Sequence, residues 1–330
     1  MAAQLIDSFG RVHQDLRISV TDRCNFRCSY CMPEEGTEWM PRDDLLTYEE
    51  LARLASVFVG RFGFESIRIT GGEPTVRARL PVLVEKLAAL GADLALTTNG
   101  SMLRLLADDL AAAGLRRINI SLDTLRPDRF RDITRRDDLD RVLDGIAAAV
   151  DAGLHPVKLN VVVMRGVNDD EVVEFARFGR ERGVEVRFIE FMPLDAQGAW
   201  KRDAVVTQDE ILERIGAVFP LEPADPLVRT AEPAERFRYL DGVGAVGVIP
   251  SVTRAFCGSC DRVRLTADGK LRSCLFALDE TDLRTPLRAG ASDDHLAGLV
   301  EAAVAAKWAG HGIGTVNFIR PRRSMSQIGG

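Results

Sequence analysis

The sequence predicts an α/β protein built on a parallel β-sheet that forms part or all of a barrel. Between Asp15 and about Phe191, six short β-rich runs alternate with helical runs. Strands that alternate with helices typically pair in parallel, with each helix serving as the crossover. A glycine follows four of the helical runs, where a left-handed C-terminal residue is favoured: Gly91, Gly114, Gly153 and Gly183.

The elements of this sheet can be placed along the chain. The predicted strands are Leu16–Thr21, Ser66–Thr70, Asp93–Thr97, Arg117–Asp123, Val157–Met164 and Glu185–Phe191. The predicted helices between them are Tyr48–Phe62, Leu80–Leu90, Met102–Ala113, Leu139–Ala152 and Asp170–Arg182. Active sites of such sheets lie at the C-terminal ends of the strands, so we expect functional residues in the loops that follow them.

The pattern changes near Pro193. One more helix is predicted at Thr207–Val218, and the prolines from Pro220 to Pro233 indicate a linker or irregular segment. The predicted elements beyond it are the β runs Phe237–Leu240, Val246–Ile249, Val263–Thr266 and Lys270–Cys274, with a hairpin turn at Asp268-Gly269, and a last helix at Asp293–Lys307. We therefore expect two regions, residues 1–220 and residues 221–330.

Composition limits the function classes. The 330 residues are 46% hydrophobic and 28% charged, with a net charge of −6. An acidic chain has no global basic field for nucleic acid, so any anion site must be local. The N-terminal run lacks the basic and apolar regions of a signal peptide, and no apolar run approaches the roughly 18 residues of a membrane span. We expect a cytoplasmic protein, either a monomer or a homodimer.

The first cysteine group is Cys24, Cys28 and Cys31, spaced C-x3-C-x2-C directly after the first predicted strand. Three thiolates on one short loop can hold a [4Fe-4S] cluster and leave one iron open to the donor atoms of a substrate or cofactor. Structural zinc sites use four ligands, and no fourth Cys or His lies nearby. The spacing therefore favours a cluster over zinc or buried free thiols.

The second group, Cys257, Cys260 and Cys274, is spaced C-x2-C-x13-C and also has three members. We expect a second [4Fe-4S] cluster with its own open iron, and zinc completed by a distant residue is the alternative. Arg262 and Arg264 alternate out of the hairpin that follows, which predicts anion recognition beside the metal. Two groups of three thiols favour metal binding in a reducing compartment over disulfides.

Polar residues alternate with apolar ones inside the predicted strands, unlike the continuous apolar runs of most parallel sheets. Alternation places each polar set on one face. If that face lines the barrel, four cations converge on one cavity: Arg17, Arg68, Lys158 and Arg187. Buried like charges repel each other, so we expect a polyanion such as a triphosphate. The alternative is that some of them lie at strand ends and meet solvent or nearby carboxylates.

Short motifs follow several strands. Thr70–Pro74 reads TGGEP, and Thr97–Gly100 reads TTNG. The paired glycines of TGGEP allow close approach of the backbone to a ligand. TTNG is also a common strand-to-helix turn. Met192 follows the sixth predicted strand, and it is equally an ordinary core residue. The terminal Gly329 and Gly330 are either a frayed end or a slim probe for a narrow cavity.

Together these motifs resemble a known family. C-x3-C-x2-C with Tyr30 before its third cysteine resembles the radical S-adenosylmethionine (SAM) superfamily. When C-x2-C-x13-C, DRVRLT and the Gly-Gly end are added, the sequence from Arg17 to Gly330 resembles the GTP 3′,8-cyclase family of molybdenum cofactor biosynthesis. The resemblance implies an incomplete (βα)6 TIM-type barrel with a C-terminal, β-containing extension that closes it.

The resemblance also implies roles for individual residues. Those implied to hold the SAM-binding cluster are Cys24, Cys28 and Cys31, with Tyr30, Gly72, Ser121 and Met192 around SAM. Those implied to hold the second cluster, whose open iron binds guanine, are Cys257, Cys260 and Cys274. The residues implied to bind GTP are Arg17, Arg68, Thr97, Lys158, Arg262, Val263 and Arg264, with catalytic support from Gly329 and Gly330.

The implied reaction starts with reductive cleavage of SAM to a 5′-deoxyadenosyl radical, which removes the ribose H3′ of GTP. Attack of C3′ on C8 of guanine then gives (8S)-3′,8-cyclo-7,8-dihydroguanosine 5′-triphosphate. A flavodoxin-type reductant and the downstream cyclic pyranopterin monophosphate synthase are the implied partners. Two rival functions are a peptide-modifying radical SAM enzyme with an auxiliary cluster and a non-catalytic iron–sulfur carrier or sensor.

Overall fold

The twelve strands of the described residues form one continuous β-sheet. The structure is a computed structural model, and it describes residues 3–194, 198, 200–224, 232–316 and 318–329. Its strands are β1 Asp15–Ser19, β2 Ser66–Thr70, β3 Asp93–Thr98, β4 Arg117–Ser121, β5 Val157–Val163, β6 Glu185–Glu190, β7 Leu221–Pro223, β8 Glu235–Tyr239, β9 Ala245–Ile249, β10 Arg262–Leu265, β11 Lys270–Arg272 and β12 Thr281–Asp282.

The helices lie between and after these strands. They are α1 Tyr48–Phe62, α2 Leu80–Ala88, α3 Leu103–Ala112, α4 Pro127–Thr134, α5 Leu139–Asp151, α6 Val172–Arg182, α7 Gln208–Gly216, α8 Arg284–Arg288, α9 Asp293–Ala305 and α10 Met325–Ile328. Among the described residues, no helix is long and apolar enough to cross a membrane.

The strand order confirms the predicted parallel sheet. The order is β12-β11-β10-β1-β2-β3-β4-β5-β6-β9-β8-β7, and β1 to β6 pair in parallel in sequence order. The extension adds β10 in parallel to the free edge of β1 and β9 in parallel to the free edge of β6. Within the described strands, the extension thus covers both edges of the six-stranded unit without joining them to each other. The predicted boundary at residue 220 stays a prediction.

The six predicted strands and five predicted helices between them all occur, with ends that differ by at most two residues. The irregular segment predicted from Pro220 is wrong at its start, because Leu221–Pro223 pairs with β8 as an edge strand. Proline is tolerated at a sheet edge, where its missing N–H costs no ladder bond. Helix α4 was not predicted, since only Phe130 and Ile133 give it a buried apolar side.

Alternation along the strands separates the two faces of the sheet. The apolar set is fully buried under the helices, as for Leu16, Ile67 and Leu96, which are 0%, 1% and 0% exposed. The polar set lies on the opposite face, where Arg17 pairs in register with Arg68 and Thr97 with Asn119. The hydrophobic core therefore lies between the sheet and its helices, and the opposite face of the sheet carries the polar side chains.

A contact between two glycines holds the turn that follows β3 against helix α5. Gly145 in α5 packs directly on the backbone carbonyl of Gly100, and a Cβ at position 145 would lie inside van der Waals contact with that oxygen. Gly100 itself has φ +81°. This contact holds the end of the TTNG turn against α5.

We expect Gly145→Ala to destabilise the fold by about 1–3 kcal/mol, because the new methyl group overpacks a rigid backbone contact. Gly298 in α9 is the matched control, since it is helical and exposed and has open space around its Cα. Gly298→Ala should stabilise the protein by roughly 0.5–1 kcal/mol through helix propensity. Urea unfolding of both variants measures the difference, and equal effects would contradict the contact argument.

Candidate active site

The loop after β1 carries the first cysteine group. The amides of Cys31 and Met32 both donate to the carbonyl oxygen of Cys28, each at 2.9 Å. Burial raises the pKa of Cys24 to about 12 and that of Cys31 to about 11. The pKa of Cys28 is also raised, by burial and then by its two cysteine neighbours. Without a metal, the first cysteine loop therefore holds three neutral thiols close together. A cationic metal centre would be needed to stabilise the thiolate forms.

The ligands of a [4Fe-4S] cluster are arranged differently from the ligands of a single metal ion. Among the described residues, no group of three or more Cys, His, Asp or Glu side chains is arranged to hold one metal ion. Ligands of one zinc ion all lie about 2.0–2.3 Å from a common centre. Thiolates on a [4Fe-4S] cluster bind separate irons and lie farther apart. The cluster that the cysteine spacing predicts therefore stays a prediction.

The TGGEP segment packs against the first cysteine loop. The Gly72 amide donates to the carbonyl oxygen of Thr21 at 2.7 Å. A Cβ on Gly72 would lie 2.5 Å from the carbonyl oxygens of both Asp22 and Arg23. Only glycine permits this approach, so Gly72 aligns the loop in addition to its predicted contact with SAM.

Glu73 ties the ends of β2 and β3 together, and the sequence reasoning missed its role. Its carboxylate accepts hydrogen bonds from the Thr75 amide and hydroxyl at 3.0 and 2.5 Å, the Thr98 hydroxyl at 2.7 Å and the Asn99 amide at 2.6 Å. Burial raises its pKa. Its position inside TGGEP was the available signal, but nothing in the motif shows that the side chain turns towards the neighbouring strand.

Asp123 is a second residue that the sequence reasoning passed over. The Tyr30 hydroxyl donates to its Oδ2 at 2.6 Å, and the Val162 amide donates to its Oδ1 at 2.8 Å. Burial raises the pKa of Asp123 to about 6. The carboxylate thereby anchors the cysteine loop to β5. Asp123 continues the polar alternation of β4, which was the signal that could have found it.

The other predicted SAM residues lie at the same edge of the sheet. Ser121 is the last residue of β4, and Met192 follows the end of β6 at Glu190. Both side chains are partly buried. The structure thus places them at the C-terminal ends of strands, as predicted, and their contact with SAM stays a prediction.

Three arginines lie side by side on the polar face. Arg17 is in register with Arg68 on β2 and with Arg264 on β10. Burial, followed by repulsion from Arg17, lowers the pKa of Arg68 to about 9. Burial and the charges of Arg17 and Arg262 lower the pKa of Arg264 well below its usual value. The Arg68 Nε is buried and has no hydrogen-bond partner among the described residues. A bound anion would relieve the repulsion within such a cluster.

Carboxylates balance part of the charge of this cluster. Asp15 lies 3.8 Å from the Arg17 Nε. Burial would raise the pKa of Asp15, but Arg17, Arg68, Arg262 and Arg264 outweigh it, and the pKa is lowered. Within the described residues, its Oδ1 accepts no hydrogen bond. Asp261 is a second carboxylate here, 3.6 Å from the Arg262 Nε. Two carboxylates against four guanidinium groups leave a net positive site.

The other two predicted cations are neutralised. Arg187 donates to Glu185 at 2.7 Å and to Glu232 at 2.9 Å, and Lys158 lies 3.4 Å from the same Glu232 oxygen. Both cations lie on the predicted face, but they meet nearby carboxylates. The two interpretations of the alternation therefore apply to different strands. Around Arg17 the cations outnumber the carboxylates, whereas the two cations on β5 and β6 are neutralised.

The second cysteine group lies beside the arginine cluster. Cys257 and Cys260 occupy a short helical turn, Cys257–Ser259, and the residue after it, and Cys274 follows β11. Burial would raise the pKa of Cys260, but the charges of Arg262 and Lys307 lower it. These thiols act electrostatically on Arg17 and Arg264, so the two sites share one environment.

Two further predicted residues have defined places. Thr97 lies on the polar face and its hydroxyl accepts from the Asn119 amide at 3.3 Å. Val263 is 0% exposed and alternates with Arg262 and Arg264, so its side chain belongs to the core and only its backbone can reach the site.

The C-terminal tail enters this region. Arg264 donates to the carbonyl oxygen of Gly329, and the Ser326 backbone hydrogen-bonds the Cys31 thiol. A Cβ on Gly329 would lie 2.9 Å from both the Ser19 Cβ and the Thr70 Cγ2. The tail therefore passes between the first cysteine loop and the arginine cluster through a gap that excludes side chains. Gly330 lies outside the described residues.

Comparison with known proteins gives the class first. Residues 18–179 match the model of the Radical SAM superfamily, and residues 184–313 match Molybdenum Cofactor Synthesis C. The fold resembles Streptococcus suis SuiB bound to S-adenosylmethionine, with a TM-score of 0.61 over 88% of this chain and 69% of that one at 15% identity. The chain is a radical SAM protein, a class that uses a [4Fe-4S] cluster and SAM.

Full-length relatives give the family. A GTP 3′,8-cyclase of Streptomyces coelicolor is 52% identical over 99% of this chain and 96% of its own length. The GTP 3′,8-cyclase of Rhodopirellula baltica is 49% identical, and GTP 3′,8-cyclase 2 of Mycobacterium tuberculosis is 50% identical, each over 99% of this chain and 92% of its own length. The chain belongs to the GTP 3′,8-cyclase family.

We expect Arg68→Met to stabilise the ligand-free protein by about 1 kcal/mol, because it removes an uncompensated buried charge. The same change should abolish the rise in Tm that tripolyphosphate gives the wild type, since the ligand loses a cation. Arg254→Met is the control, because Arg254 pairs with Asp209 at the surface. Thermal melts with and without tripolyphosphate test this, and a destabilised free protein that still responds would contradict it.

We expect Gly329→Ala to leave the fold intact and to displace the tail, because the added methyl group meets Ser19 and Thr70. Gly244→Ala is the matched control: Gly244 has φ +86° and open space, so it shares the backbone strain without the clash. Limited proteolysis should cut the tail at least several-fold faster in Gly329→Ala only. Equal protection in both variants would mean that the gap accepts a side chain.

Proposed function

We propose that this chain converts GTP to (8S)-3′,8-cyclo-7,8-dihydroguanosine 5′-triphosphate, the first step of molybdenum cofactor biosynthesis. The observation that carries the proposal is the uncompensated cluster of Arg17, Arg68 and Arg264 beside the second cysteine group. Charge-assisted contacts from several guanidinium groups suit a triphosphate. Membership of the GTP 3′,8-cyclase family supports the choice of nucleotide.

The first cysteine loop is proposed to hold a [4Fe-4S] cluster through Cys24, Cys28 and Cys31. With SAM bound, such a cluster would supply the radical chemistry that removal of the ribose H3′ requires. Tyr30, Gly72, Ser121 and Met192 are proposed to surround SAM. Asp123 positions this set through the Tyr30 hydroxyl, and Glu73 does so through the turns that follow β2 and β3.

The second cysteine group is proposed to hold another [4Fe-4S] cluster through Cys257, Cys260 and Cys274, with its open iron at the guanine base. The triphosphate is proposed to bind to four arginines, Arg17, Arg68, Arg262 and Arg264. Further contacts with GTP are proposed for Thr97, Lys158 and the Val263 backbone. Glu232 occupies the cations of β5 and β6 in the free protein. GTP would compete with that carboxylate for Lys158 and Arg187.

Positioning at both ends is what this reaction requires. A ribose carbon must be held near its radical partner within a fraction of an ångström, which binding through base and phosphates together provides. Gly329, which lies beside Arg264 in the ligand-free protein, and Gly330 are proposed to support catalysis there. Closure of the site also excludes water from reactive intermediates.

The remaining partners are proposals from the family. A flavodoxin-type protein would supply electrons, and cyclic pyranopterin monophosphate synthase would receive the product. The six free thiols suit a reducing compartment such as the cytoplasm.

The test uses anaerobically reconstituted protein with SAM and dithionite. We expect 5′-deoxyadenosine to form at least ten-fold faster with GTP than without it, together with the cyclised nucleotide. Arg17→Ala should retain about eight irons per chain and lose this dependence, because the triphosphate loses its central cation. Deoxyadenosine formation indifferent to GTP would keep the radical chemistry and overturn the substrate. Full GTP turnover by Arg17→Ala would overturn the cation argument.

A further inference from the structure

A buried lysine contacts the second cysteine group and the start of β10. Lys307 is 3% exposed and lies just beyond the end of α9. Its Nζ donates to the Arg262 carbonyl oxygen at 2.8 Å and lies 3.6 Å from the Cys260 Sγ and 3.4 Å from the Cys260 carbonyl oxygen. Every one of these acceptors belongs to the segment that joins the proposed cluster to β10.

The fourth neighbour of the Lys307 ammonium shows which partner carries the proton. The His13 Nε2 lies 2.8 Å from the Nζ, and its Nδ1 lies 3.0 Å from the Arg11 carbonyl oxygen. A carbonyl oxygen only accepts, so Nδ1 carries the hydrogen and Nε2 accepts from the ammonium. Burial and then Lys307 lower the pKa of His13 to about 4, in agreement with a neutral ring. The positive charge therefore stays on Lys307.

The N-terminal segment locks this arrangement in place. Arg11 donates to the carbonyl oxygens of Cys257 at 2.7 Å, Ala309 at 2.9 Å and Trp308 at 2.6 Å. Its Nε pairs with Asp7 at 2.5 Å. One guanidinium group thus joins the cysteine turn to the residues that follow Lys307, so the distance from the ammonium to Cys260 is held by backbone contacts on both sides.

We infer that Lys307 is a positioning residue of the second cluster, donating a charge-assisted hydrogen bond to the Cys260 thiolate and fixing that ligand to the Arg262 backbone. The inference rests on the proposed second cluster. Hydrogen bonds to ligand sulfurs and nearby positive charge raise the reduction potential of an iron–sulfur cluster, because they stabilise the more negative reduced state. A lysine that served only to fill and satisfy the core would leave the potential unchanged.

The experiment measures the potential of the second cluster in the full-length chain. Cys24→Ala, Cys28→Ala and Cys31→Ala are combined, so that the signal comes from the second cluster alone, and Lys307→Met is added to this background. We expect iron to stay at about four per chain and the midpoint of an EPR-monitored redox titration to shift to lower potential. Lys307→Gln, which keeps a donor but no charge, should shift it less. Lys86→Met is the control for loss of a surface lysine.

The outcomes separate the two proposals. A background protein that binds no iron would overturn the second cluster itself, whatever Lys307 does. A cluster whose midpoint is the same in Lys307→Met, Lys307→Gln and Lys86→Met would overturn the role of Lys307. If Lys307→Met does not fold, as judged by circular dichroism of the metal-free protein, the comparison of Lys307→Gln with Lys86→Met decides, and an unshifted midpoint there counts against the inference.

Discussion

The parallel pairing of β10 with β1 is the constraint on which the site depends. It places Arg264 beside Arg17, which is already beside Arg68, and so concentrates cations contributed by residues almost 250 positions apart in the chain. It also carries Cys257 and Cys260 to the edge of the six-stranded unit, because they directly precede β10. Without this pairing, the extension would carry a cysteine group and the six-stranded unit a cation face, but the two would not be neighbours.

The concentration of charge works against the stability of the free protein. Buried guanidinium groups lose their hydration, and Asp15 balances only part of their charge. The helical layer, in which strand residues such as Leu16 and Ile18 are 0% exposed, supplies the compensating burial of apolar surface. The apolar face of the sheet therefore stabilises the fold, and the polar face carries cations whose mutual repulsion a bound anion would relieve.

Close backbone contacts at glycine set the remaining geometry. Gly72 lets β2 approach the first cysteine loop, and Gly329 lets the tail pass between Ser19 and Thr70. Buried carboxylates then fix the loops that these contacts align, Glu73 across two strand ends and Asp123 through Tyr30. Arg11 and Lys307 hold the second cysteine group in a similar way, through the carbonyl oxygens of Cys257 and Arg262. Each cysteine loop is thus held by hydrogen bonds and ion pairs from other parts of the protein.

The sequence by itself determined the strands and helices of the parallel sheet, both cysteine groups and the polar face, because alternation, capping residues and short ligand spacings are local properties of the chain. Only the tertiary structure decided which cations are left uncompensated. Lys158 and Arg187 looked equivalent to Arg17 and Arg68, yet Glu232 neutralises them from a segment far away in sequence. The same holds for Lys307 and His13, which lie almost 300 residues apart and meet at 2.8 Å. Electrostatic balance depends on distances across the fold, and no local pattern contains them.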